Sequence, residues 1–263
     1  MARRLASRVV GYTTLATAAT AYGVHCGLSY LEEKYPNLSP HSVTSADLTR
    51  PHIPNQQRVA YTDIFAARIP VAALKVRARC TDRDTQTSLE NIWARSILGG
   101  RILSTEASVI GFLTTGKYQP GDVGDDGFAA DSRSPQKLLH GVATTQQAPG
   151  IDREGYGLLI SWIMSDEPRL FFEKIARWGY PWRLMSGGRH EMSVSRPYTV
   201  DGQCDFVDVR FASAHDYEII ESEGPDGQKI IPMWVMRLHA GYARLILDTA
   251  VREVLQDYQT SRQ

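Results

Sequence analysis

Apolar and polar residues alternate most cleanly over residues 71–80. Ala72, Leu74, Val76, Ala78 and Cys80 form one face, and Lys75, Arg77 and Arg79 the other. A period of two predicts a half-buried strand. Its basic stripe reads either as a solvated face guarded by charge or as an anion or membrane-surface contact. The period then becomes helical. Residues 87–90 fit a capping box, and Leu89, Ile92, Trp93 and Ile97 follow at helical spacing until Gly99 and Gly100. A second helix is expected over residues 101–113, with Leu103, Ala107 and Ile110 on one face.

Beyond residue 135 the pattern turns to strands. Residues 138–145 place His140 on a face with Leu138 and Val142. Residues 155–164 place Tyr156, Leu158, Ile160, Trp162 and Met164 together. Asp166, Glu167 and Pro168 suit a helix N-terminus, so a short helix should run to about Trp178. The stretch 162–182 is dense in aromatics, which serve core packing or a cavity mouth.

Asp201 and Gly202 are the signal of a two-residue type I′ hairpin turn. That turn sets the register. Met192 should oppose Phe211, Val194 oppose Val209, Arg196 oppose Val207 and His190 oppose Ser213. The alternation within each strand gives the same apolar face independently. Glu191, Ser193, Ser195, Asp208 and Arg210 fall on the other face, which reads as outward. A strand pair over 217–221 and 229–236 should follow, then a long amphipathic helix over 237–258. Leu238, Tyr242, Leu245, Ile246, Thr249, Ala250 and Val254 form its inner arc, with His239 near the centre of that arc and Arg244, Asp248 and Arg252 outside.

The chain divides into residues 1–34, a Pro-rich linker at 35–57, an α+β domain at 58–258 and a tail at 259–263. Arg3, Arg4 and Arg8 precede a run, 9–31, without Asp, Glu, Lys or Arg. As a helix it would span roughly 35 Å, enough for a bilayer core. It is nevertheless rich in Ala, Thr and Gly and contains His25. Three readings stay open: a membrane anchor with its Arg end on the cytosolic or matrix side, an organelle-targeting segment such as a mitochondrial one, or a helix packed on its own domain. A cytosolic location is the alternative to a membrane-associated or mitochondrial one.

Composition narrows the partners. Lys plus Arg and Asp plus Glu are equal at 29 each, so no basic excess points to nucleic acid. Cys26, Cys80 and Cys204 make neither a zinc spacing nor a disulfide framework. No phosphate-binding glycine loop, nucleophile elbow or metalloprotease motif is present, and no metal or cofactor is expected. The Gly/Asp-rich stretch 117–135 lacks the EF-hand order and reads as an acidic loop able to act as a lid.

Strand, two short helices, a run of antiparallel strands and a long C-terminal helix is the element order of the helix-grip superfamily. Over residues 58–258 the chain resembles the START, polyketide-cyclase and plant allergen type of domain, departing from it in the helix around Phe171 and the N-terminal appendage. The resemblance implies a curved antiparallel sheet of about seven strands gripping the long helix, with a cavity between them. It also implies binding of an apolar small molecule or lipid, sometimes with its cyclisation, dehydration or isomerisation. Fold alone does not fix function.

The inward polar residues are the candidate chemistry. His190, His239 and Tyr242 are expected to supply acid-base or orienting groups. His140, Trp162, Met192, Phe211 and Trp234 are expected to line the ligand site. Arg189, beside Gly187 and Gly188, offers an anion contact at the rim, and His215 with Asp216 reads as a turn. The expected function is a metal-independent cyclase, isomerase or lyase acting on a polyketide- or terpenoid-like molecule. A membrane-tethered lipid carrier and an interaction scaffold are the alternatives.

Overall fold

Strand β7 (Asp205–Glu218) organises the sheet. It pairs antiparallel with β1 (Gln57–Pro70) on one side and with β5 (Gly187–Val194) on the other. The sheet then continues through β4 (Leu158–Ile163), β3 (Ala143–Gln147) and β2 (Lys137–Leu138), while β6 (Tyr198–Thr199) pairs with the far end of β7. This antiparallel sheet of seven strands is open. The computed structural model describes residues 2–39, 44–79, 85–113, 123, 124, 127, 128, 135–150, 157–200, 202 and 205–263. Tyr156, Cys80, Cys204, Asp201 and most of the acidic stretch 117–135 lie outside the described residues.

The hairpin register is the one the turn signal predicts. Met192 faces Phe211, Val194 faces Val209 and His190 faces Ser213. Nearer the tip it slips by one residue, so that Tyr198 faces Phe206 and Thr199 faces Asp205. Val207, Val209, Phe211, Met192 and Val194 are buried on the inner face together with Phe65 and Ile69 of β1. The long helix α6 (Met233–Ser261) lies over them and buries Ile246, Leu247, Ala250, Val251 and Val254.

Three expected elements differ. Residues 71–79 do not form a strand. Val71–Lys75 is a one-turn helix, α2, entered through Pro70, and it buries Val71, Ala73 and Leu74. The strand there is β1, whose Ile64 and Phe65 are both fully buried. Burial on both faces hides the alternation. Helix α3 (Gln86–Leu98) is capped by Thr85, whose hydroxyl accepts from the Ser88 amide, two residues ahead of the expected box. Residues 229–236 supply no strand, because α6 already starts at Met233. Helices α4 (Arg101–Leu113) and α5 (Asp166–Arg177) match expectation.

The outer face of the sheet is covered. Residues 37–39 and 44–56 lie along it as a strap. Leu38 and Asn37 hydrogen-bond the free edge of β1 at Ile64. Leu48 is fully buried among Ile64, Leu159, Ala212 and Ala214. Glu191 and Ser193 are therefore buried, and Glu191 accepts from the Ser45 amide at 3.0 Å and from its hydroxyl. Arg189 is not at a rim. It is 4% exposed and makes two hydrogen bonds to Asp216, at 2.7 and 2.6 Å, and a third to the Leu48 carbonyl. His215 and Asp216 stand within β7, not in a turn.

Helix α1 (Ala2–Lys34) explains the polar residues of α6. Arg244 and Asp248 were expected outside but are buried. Asp248 accepts from Lys34 and Tyr35, at 2.6 and 2.9 Å, and Arg244 donates to the Tyr35 carbonyl while stacking over Phe65. Gly241 admits the Leu28 side chain where a Cβ would collide with it. Leu238 and Leu245, expected inside, are instead partly exposed. Among the described residues, no helix is long and apolar enough to cross a membrane.

The Arg189–Asp216 pair is isolated from water, so losing one partner strands a charge. Asp216→Ala should lower unfolding free energy by about 3–5 kcal/mol, and Arg189→Met with Asp216→Leu should regain most of it. Urea midpoints at constant slope measure both effects. Equal loss in the single and double variants would show that the charges matter for another reason.

Candidate functional site

A cavity of about 530 Å³ lies between the inner face of the sheet and the first turns of α6. Its floor is Ile160 and Trp162 of β4, His190 and Met192 of β5, Phe211 of β7 and Ala143 of β3. These meet because register places Ile160 opposite His190, Trp162 opposite Gly188, and Met192 opposite Phe211. Gly188 keeps this arrangement open, since a Cβ there would stand 3.0 Å from the Trp162 ring. The roof is Val235, His239, Tyr242 and Ile246 of α6, with Leu103, Glu106 and Ala107 of α4 closing one side. Met185 and Ile231 close another. A volume of this size is typical of small-molecule sites.

The polar side chains facing or underlying the cavity form one patch. His190 stacks between Trp162 and Phe211, with ring centroids 6.3 and 5.3 Å away. His239 meets His215 edge to face at 4.4 Å, and His215 in turn stacks on Tyr61 at 4.5 Å. Nδ1 of His190 and of His239, Nε1 of Trp162, Oγ of Ser213 and both ring nitrogens of His215 have no hydrogen-bond partner in the protein. Buried polar atoms are normally satisfied, so such a group calls for an explanation.

Burial keeps these imidazoles neutral. Loss of hydration, with His239 and Arg189 adding repulsion, pulls the His190 pKa down to about 3. Burial, followed by His239, His190 and Arg189, pulls His215 down to about 2. Burial alone lowers His239. Tyr242 donates to Glu106 Oε2 at 2.6 Å, and burial followed by that carboxylate raises its phenol pKa. The pair joins α4 to α6 across the cavity wall.

Of the residues singled out in the sequence, His190, His239, Tyr242, Trp162, Met192 and Phe211 line this cavity together. His140 does not. It lies exposed in the turn between β2 and β3, at φ 55°, while Leu139 and Val142 line the cavity instead. Trp234 is 60% exposed and packs edge to face on Trp182 outside it. His215 and Ser213 were passed over. Extending the alternation of β7 from Val207 by two residues at a time would have put both on the inner face. Among the described residues, no group of three His, Cys, Asp or Glu side chains is placed to hold a metal ion.

The α+β architecture, a curved antiparallel sheet with a long C-terminal helix, is compatible with a helix-grip fold. No family model, curated protein or solved structure matches the chain.

The histidines give a pH signature. His215 binds protons near pH 6.5 when unfolded but only near pH 2 when folded, so stability present above 6.5 is lost as pH falls. Between pH 7 and pH 5 that single residue removes about 2 kcal/mol. His215→Phe, which preserves the stack on Tyr61, should shrink the stability difference between pH 7 and pH 5 by that amount in urea titrations. An unchanged difference would mean that His215 is protonated equally in both states.

Proposed function

We propose that this protein binds an apolar small molecule or lipid in the cavity between α6 and the sheet. The observation that carries the reading is a cavity of about 530 Å³ with apolar walls and buried polar atoms that the protein itself leaves unsatisfied. The START and polyketide-cyclase type of domain, which the element order resembles, points the same way.

Catalysis is a second reading, favoured by the placement of His239 and Tyr242 on successive turns of the cavity roof. A general base works best with a pKa near the working pH. At about 3, His190 is a hydrogen-bonding group and a poor proton acceptor. Acid-base work on a cyclisation, dehydration or isomerisation would therefore fall to His239, with Tyr242 and Glu106 orienting the substrate. Association with a membrane or a mitochondrial location through α1 belongs to the carrier version of the proposal.

Native mass spectrometry of the full chain, purified without detergent, should detect a non-covalent adduct that organic solvent extracts. Ala143→Trp fills the cavity floor and should abolish the adduct while the variant still unfolds cooperatively. An adduct equally abundant in that variant would place the ligand elsewhere. Should the extracted molecule be turned over, His239→Asn should stop turnover and leave the adduct if His239 is the base. Full activity in that variant leaves binding alone.

A further inference from the structure

The cavity reading leaves the ligand's chemistry open, and the polar patch narrows it. Four elements converge there: Trp162 from β4, His190 from β5, Ser213 and His215 from β7, and His239 from α6. Ser213 and His215 are 1% and 0% exposed, and neither side chain finds a hydrogen-bond partner within the protein. Each such orphan costs roughly 1–3 kcal/mol if nothing satisfies it. The register that places Ser213 beside His190, and the edge-to-face contact of His215 with His239, make these groups one contiguous patch.

The patch is polar but not charged. Among the described residues lining the cavity, Glu106, tied to Tyr242, is the one ionisable carboxyl and none is Lys or Arg. Arg189, the nearest cation in sequence, belongs to the opposite face of the sheet and is held by Asp216. Burial suppresses the charge of His190, His215 and His239. A carboxylate or phosphate entering this site would give up its hydration, at several kcal/mol, and meet no counter-ion. A neutral imidazole offers both a donor and an acceptor, and the Trp162 indole offers a donor.

Resting on the cavity reading, we infer that the ligand is uncharged and carries a hydroxyl or keto oxygen that hydrogen-bonds to the Trp162, His190 and His239 patch, with the rest of its skeleton apolar. This selects alcohols and ketones of cyclic or branched hydrocarbons over fatty acids, phospholipids and amines. Ser213 and His215 lie behind the first layer, His215 with its ring edge to face against His239.

A matched probe series tests this. The full chain is titrated with cyclododecanol, cyclododecanone, cyclododecane, cyclododecanecarboxylate and cyclododecylamine, following intrinsic tryptophan fluorescence and confirming by calorimetry. The alcohol and ketone should bind at least about ten-fold tighter than the hydrocarbon and either charged probe, the gain of one net hydrogen bond. His239→Leu should erase that advantage and leave hydrocarbon affinity within about two-fold. His190→Asn, which retains a donor and an acceptor, should keep most of it. Hydrocarbon binding as tight as the alcohol overturns the hydroxyl or keto requirement while leaving the cavity reading intact. Tightest binding of the carboxylate or the amine overturns the neutral class. If none of the five binds, both the inference and the reading beneath it fall.

Discussion

The inner face of β7 is the constraint on which the rest depends. Its first half presents Val207, Val209 and Phe211, and its second half presents Ser213, His215 and Tyr217 on the same side. Because side chains along a strand alternate strictly, polar residues cannot be turned outward without turning the apolar ones outward too. Val207 and Val209 belong to the core with Ala250 and Val254, while Phe211 and Ile246 line the cavity. In the second half the Ser213 hydroxyl and both His215 ring nitrogens find no protein partner, beside a glycine, Gly188, opposite His215. The cavity, which Phe211 lines, thus lies where one strand changes chemistry along one face.

The outer face of the same strand shows the complementary solution. Ala212 and Ala214 are small enough for the strap to lie close, and Leu48 fills the resulting hollow. Asp216, the polar residue on that side, is matched by Arg189 diagonally across the β5–β7 pair, and that arginine also donates to the Leu48 carbonyl. Asp216 on the outer face therefore finds protein partners, whereas Ser213 and His215 on the inner face do not. That contrast within one strand separates the paired Asp216 from the unpartnered Ser213 and His215.

Local pattern made part of this legible. The Asp201 and Gly202 signal gave the correct partners for Met192, Val194 and His190, because a turn and two alternating strands constrain one register independently. The helical faces of α4 and the cavity turn of α6 were readable for the same reason. Non-local pairing was not. Lys75, Arg77 and Arg79 alternate like a strand, but Pro70 opens a helical turn there and the burial of Ala73 and Leu74 sustains it. Arg244 and Asp248 read as a solvated pair until Lys34 and Tyr35, more than two hundred residues away in sequence, are seen to contact them. Likewise the Pro-rich stretch looked like a spacer because its anchors, Ser45 and Leu48, are single residues whose partners lie on distant strands.

The charge states of the buried groups pull in opposite directions. Burial, opposed by Arg244, raises Asp63 to about 6; burial, opposed by Gln86 and reinforced by Glu191, raises Glu90 to about 7. Both carboxyls favour the fold below their ordinary pKa and withdraw that stability as pH rises through about 6 to 7. The imidazoles do the reverse, withdrawing stability as pH falls below about 6.5. Across the interval between, the two sets offset each other, so the overall stability of the protein says little about either. Only removal of one group exposes its share. Burial, not that offset, keeps the cavity imidazoles neutral near pH 7, the state in which each offers both a donor and an acceptor.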